Sequence, residues 1–274
     1  MSAISPKRYA AVLLAALLLA AGCTSTSAPP PAASTAAASP SARSQAEEDC
    51  GQTVAPAVEI DDLALRAANG VTLNAAIVGS GPRGVILLHQ TDDGMCGWLP
   101  YARYMATQGF HVGLFDFRCT FNSSCVEGEN AYNVTADVSA MAAELRKRGA
   151  RSLAVVGASY GGAVAIGSCA TVKADACVAL SPALYDNKLG GGMTANMAIG
   201  RLTLPLLFAA APDDSDSPAD QNQALLRRAR PNVVTYVELP SGAGHGWETV
   251  ADPDNPGQWS SLSDRLIDFI SDNR

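Results

Sequence analysis

Gly157-Ala158-Ser159-Tyr160-Gly161 sets one hydroxyl between two glycines, after the apolar run Leu153-Ala154-Val155-Val156 and before the small-residue run Gly162-Ala163-Val164-Ala165-Ile166. A short buried strand, a Gly-x-Ser-x-Gly turn and a helix make the setting of a nucleophile elbow. Such a turn forces the serine into strained backbone angles, so its neighbours must be small enough for the chain to fold back. Ser159 then stands at the tip of a sheet, with the first N–H groups of the next helix placed to stabilise an oxyanion. The chemistry this suits is attack by a hydroxyl on a carbonyl.

A serine hydroxyl is a weak nucleophile until a base takes its proton, and the base needs an orienting acid. The chain has three histidines. His89 closes a buried apolar run and His111 opens another, which suits structural roles. His245 lies in Gly242-Ala243-Gly244-His245-Gly246-Trp247, a glycine-rich loop able to bring an imidazole close to another backbone. For the acid, the run Leu204 to Ala210 leads into Ala211-Pro212-Asp213-Asp214-Ser215-Asp216-Ser217-Pro218. That loop leaves the carboxyl end of a strand, where open α/β sheets place their ligands. Asp214 is favoured by its position between strand end and helix start. Asp213 reads as a solvated turn carboxylate and Asp216 as a helix N-terminal charge. Asp186 is an outside candidate.

The elements that must hold these groups follow from periodicity. Val58 to Arg66 and Val71 to Val78 flank Asn69-Gly70, a strong hairpin turn. Gly84 to His89 and Phe110 to Phe117 are continuous apolar runs, as expected of strands buried on both faces. Leu99 to Gln108 and Asn133 to Arg148 have helical spacing and stop at Gly109 and Gly149. Beyond them the reading is strand 152–157, helix 160–172, strands 176–180 and 204–210, helix 218–229, strand 232–238 and helix 259–271. Such alternation implies an α/β domain with a mostly parallel central sheet and helices on both faces.

The order Ser159, Asp214, His245, with the strand end Leu87-Leu88-His89-Gln90 and the run Asp116-Phe117-Arg118, resembles the α/β-hydrolases from about Val58 to the C-terminus. The resemblance implies an α/β-hydrolase fold and a serine hydrolase, most simply a carboxylesterase working through an acyl-enzyme without a cofactor or metal. It also implies an oxyanion hole made by the N–H groups of Tyr160 and Thr91. The chain departs from the usual pattern in two places. Gln90 stands where relatives have glycine after the histidine, and Cys119-Thr120 follows Arg118 where relatives commonly carry glycine. Lids in this superfamily commonly enter between the strands ending near Leu180 and starting near Leu204. Here Ser181 to Thr203 has room for a crossover helix or a glycine-hinged flap but not for a cap domain, so small or short-acyl esters are the expected substrates.

Residues 1–22 read as a signal peptide: Lys7-Arg8 precedes an apolar run from Tyr9 to Ala21, short for a membrane span. Leu19-Ala20-Ala21-Gly22-Cys23 resembles the lipobox of bacterial lipoproteins, which implies cleavage before Cys23, lipidation of its thiol and an extracytoplasmic domain anchored to the cell membrane. Residues 23–49, rich in Ser, Thr, Ala and Pro as far as Gln45, are expected to be a disordered tether. The folded domain is then 50–274.

Six cysteines remain. An even number outside the cytoplasm predicts disulfides, locally as Cys119–Cys125 and Cys169–Cys177, leaving Cys50–Cys96. With three histidines and no Cys-x-x-Cys pair, a metal site is disfavoured. The formal charge of −7 and the lack of a basic cluster in the body of the chain argue against nucleic acid. Two other functions share the same residues: a lipid-anchored binding protein on a decayed hydrolase fold, and a peptidase or acyltransferase using the same triad.

Overall fold

The computed structural model describes residues 43–51, 58–252, 255 and 257–274; the expected signal peptide, Cys23 and most of the expected tether lie outside them. The central runs of apolar residues become one eight-stranded sheet. Its strands are β1 (Ile60–Arg66), β2 (Thr72–Val78), β3 (Arg83–Leu88), β4 (His111–Phe115), β5 (Ser152–Ala158), β6 (Ala176–Leu180), β7 (Leu206–Ala210) and β8 (Val234–Glu238). They lie in the order β1-β2-β4-β3-β5-β6-β7-β8. β2 pairs antiparallel with both β1 and β4, and every other pairing is parallel. The hairpin turn falls at Asn69-Gly70, both with positive φ.

Side-chain alternation along the strands divides the core in two. On one face, Ile86 and Leu88 of β3 pack with Val138, Met141 and Leu145 of α3 (Val134–Lys147) and Val164 of α4 (Tyr160–Ser168). On the other, Val85 and Leu87 pack with Leu99 and Met105 of α2 (Leu99–Thr107) and with the C-terminal helix Ser261–Asp272. Helices on both faces of a mostly parallel sheet are the expected class. The elbow helix stops at Ser168 rather than at 172, because the chain turns there toward β6, and Cys169 is bonded to Cys177.

The tether expectation fails at its end. Residues 45–49 form a helix, α1 (Gln45–Asp49), because Ser44 and Glu47 cap it reciprocally: the Ser44 N–H donates to Glu47 Oε2 (2.9 Å) and the Glu47 N–H to Ser44 Oγ (3.2 Å). The Asp62 carboxylate takes the free N–H of Ala46 (2.9 Å), and Glu47 pairs with Arg103 at 2.8 Å. The Cys50–Cys96 disulfide then joins this helix to the segment after β3. The third bond, Cys119–Cys125, closes a short loop after β4.

The interval from 181 to 203 holds only a one-turn helix, α5 (Ala195–Ala198), and a 3-10 turn at 199–201. Its start and first glycine are packed down. Leu189 is fully buried, and its carbonyl accepts both the N–H and the hydroxyl of Thr135 on α3. A Cβ on Gly190 would lie 2.2 Å from Asn133 Oδ1. Among the described residues there is no cap domain. Among the described residues no helix is long and apolar enough to cross a membrane.

Candidate active site

Ser159 sits between β5 and α4 at φ 53°, ψ −120°, a conformation that a non-glycine residue adopts only when its surroundings enforce it. The glycines of the motif show what enforces it. A Cβ on Gly157 would lie 1.9 Å from the Gly161 carbonyl oxygen, and one on Gly161 would lie 2.3 Å from that of Leu88. The first residue keeps the turn tight; the second lets the elbow press against the end of β3. The Ser159 N–H donates to Leu180 O (2.9 Å), and its carbonyl accepts from Ala183 (3.1 Å), so β6 braces the turn from the other side.

His245 follows β8, and its Nδ1 lies 2.8 Å from Asp214 Oδ2 and 3.0 Å from Oδ1. A carboxylate accepts, so Nδ1 carries the proton and Nε2 is left as a base. The Asp214 side chain is 2% exposed and that of His245 21%, which leaves the imidazole reachable and the acid enclosed. Asp214 Oδ1 also takes the N–H groups of Asp216 (3.0 Å) and Ser217 (3.1 Å), which fixes the carboxylate plane. Gly246 lets the histidine loop pack against the end of β5: a Cβ there would lie 3.2 Å from the Ala158 Cβ.

The competing acids have other partners. Asp213 accepts the Gly242 N–H at 3.0 and 3.2 Å and so secures the histidine loop, rather than being only a solvated turn charge. Asp186 accepts from the Asn196 amide. Asp216 is exposed; with Asp214 and His245 it brings three ligand atoms within 4.8 Å of one another. Asp214 is already engaged by the imidazole and two N–H groups, so the grouping is accounted for as an acid–base pair.

Tyr160 opens α4 and Thr91 lies in the exposed turn after β3, so the two segments expected to supply oxyanion donors are neighbours across Gly161. His89 shapes that turn. Its Nε2 accepts the Phe117 N–H (3.0 Å), which puts the proton on Nδ1 for donation to the Gln90 carbonyl. Burial holds this imidazole below the ordinary histidine range, against the opposing pull of the Gln90 carbonyl and of Asp116, Asp93 and Asp92.

A network that the sequence did not reveal backs the acid loop. Ser217 Oγ donates to Pro182 O (2.8 Å), Asn222 Nδ2 to Ser217 O (2.8 Å), and Tyr185 OH to Asn222 Oδ1. It couples the loop after β7 to the segment that braces Ser159. A buried asparagine within a helix was its only signal. Elsewhere, a cleft of about 440 Å³ beside β1 and β2, lined in part by Asp62, Asn74 and Phe121, takes in none of the triad candidates.

No family model matches the chain, and no curated protein does. Solved structures do. An esterase from Pyrococcus furiosus is similar at 19% identity with a TM-score of 0.63, over 82% of this chain and 93% of the other. A serine hydrolase without lid from Xanthomonas campestris is similar at 19% identity with a TM-score of 0.53, over 69% and 87%. An esterase from Thermogutta terrifontis is similar at 14% identity with a TM-score of 0.56, over 78% and 98%. At these identities the likeness establishes the fold. The chain has the α/β-hydrolase fold.

Proposed function

We propose that the protein is a serine hydrolase that cleaves small carboxylic esters through an acyl-enzyme. The observation that carries this is the bidentate approach of Asp214 to His245 Nδ1, on the same sheet edge as a serine in a strained elbow. In this reading His245 Nε2 takes the Ser159 proton as Oγ attacks the ester carbonyl. The N–H groups of Tyr160 and Thr91 stabilise the oxyanion. His245 then returns the proton to the departing alkoxide, leaving Ser159 acylated. Water, deprotonated by the same imidazole, attacks the acyl carbon and frees the acid and the serine.

Small substrates are favoured because the 181–203 connection packs onto α3 and provides no lid. Without one there is little apolar surface for a long acyl chain, each methylene of which would otherwise contribute about 0.8 kcal/mol. The test is covalent labelling by a fluorophosphonate, followed by a p-nitrophenyl ester series run beside amides. Labelling that persists in Ser159→Ala would refute the serine assignment. Efficiency that climbs with chain length would refute the substrate class.

The lipobox-like Leu19-Ala20-Ala21-Gly22-Cys23 supports a second part of the proposal, a lipid anchor at Cys23. Intact-mass spectra of membrane-extracted protein should begin at Cys23 and carry diacylglycerol. A soluble product lacking that mass would remove the anchor and leave the hydrolase reading intact.

A further inference from the structure

Gln90, in the turn after β3, does not point its side chain into solvent. The residue is 6% exposed, and its Nε2 donates to Asp93 Oδ2 at 3.2 Å. The same oxygen accepts the indole N–H of Trp247 at 2.7 Å. Trp247 lies two residues past His245, whereas Gln90 and Asp93 flank Thr91. One carboxylate oxygen therefore bridges the turn after β3 and the loop after β8.

The packing around this bridge admits no slack. A Cβ on Gly97 would lie 2.5 Å from Trp247 Nε1, and one on Gly246 would lie 2.2 Å from Gln90 Oε1. Gln90 Oε1 is buried without a hydrogen-bond donor, so the bond to Asp93 is what orients the amide. We propose that Asp93 is a positioning residue, which through Gln90 and Trp247 holds the turn carrying Thr91 in register with the loop carrying His245.

This rests on the serine hydrolase reading, in which the oxyanion donor and the base must be set together. Oxyanion donors work at about 2.7–3.1 Å, and a displacement of about 1 Å can cost about a hundredfold in rate. Two loops tied only to their own strands would drift independently; a shared oxygen between them makes their spacing a single variable.

The rate of fluorophosphonate labelling of Ser159 reads this directly. Asp93→Ala and Trp247→Phe should each slow labelling by about tenfold to a hundredfold. The double variant should be little slower than the slower single one, because both break the same link. Asp93→Asn, whose amide oxygen can take both bonds, should recover most of the rate. Trp247→Phe keeps a ring against Gly97, so its denaturation midpoint should stay near that of the parent while its labelling slows. A parental rate in either Asp93→Ala or Trp247→Phe, or effects that multiply in the double variant, would overturn the proposal. A parent protein that does not label at all would instead refute the hydrolase reading, and this inference with it.

Discussion

At the scale of residues, adjacent aspartates have been given different work. Asp214 faces the imidazole, whereas Asp213 holds the backbone of Gly242. Ser159→Ala and His245→Ala should each lower ester turnover by several orders of magnitude, with the pair together little worse than either, since the groups act as a unit. Asp214→Asn should be severe because an amide cannot hold the same tautomer of the imidazole. Asp213→Asn keeps an acceptor for Gly242 and should cost less than about tenfold, as Asp216→Asn should. Measured turnover in which Asp213→Asn is the crippling change would reverse the assignment of the acid. The strained turn at Ser159 and the glycine-rich loop of His245 were legible because small residues flanking them leave a local signature. The bridge at Asp93 was not, because its three members lie up to 157 positions apart and nothing in the spacing of Gln90, Asp93 and Trp247 makes them meet.

At the scale of elements, every strand of the sheet was legible: β3 to β7 as continuous apolar runs buried on both faces, and β1 and β2 by the turn at Asn69-Gly70 between them. Element ends were less so. α1 escaped notice because five residues with one buried alanine carry no periodicity, although the Ser44–Glu47 capping pair was there to be read. The joint between β4 and α3 rests on an ion pair that apolar periodicity cannot show. Arg118 and Asp137 have fully buried side chains, with Nη2 2.6 Å from Oδ1 and Nη1 donating to Asn130 O at 2.7 Å. Removing one partner strands a charge, so Arg118→Met should destabilise the domain by about 3–5 kcal/mol in chemical denaturation, and adding Asp137→Leu should restore much of it. A single-variant loss below about 1 kcal/mol would mean the pair is solvated when opened.

At the scale of the whole molecule, stability should depend on pH through His89. Its folded-state pKa is depressed by burial, so near and below the ordinary value of about 6.5 the unfolded chain binds a proton that the native one refuses. Stability is then fully present above that value and is lost as the pH falls below it, by about 1.4 kcal/mol for each unit of depression. Denaturation midpoints should fall from pH 7 to pH 5, and His89→Gln should flatten that slope whatever it does to the midpoint at neutral pH. An unchanged slope would mean that this imidazole takes up its proton in the native protein as readily as in the unfolded chain.

The three sulfur bonds have a property that neither the sheet nor the site requires: each joins a cysteine to the next one along the folded domain, 50 to 96, 119 to 125 and 169 to 177. Six cysteines allow about fifteen complete pairings, and this is the one that first-come, first-served oxidation would make. In the exported, lipid-anchored protein proposed above, the chain is threaded out from its N-terminus and presents its thiols in that same order. Each can close on its neighbour before the next pair arrives, so correct connectivity needs no shuffling of wrong partners. On that proposal the pairing can be written by the order of emergence alone, before the parallel sheet, whose strands meet only across long crossovers, has been assembled.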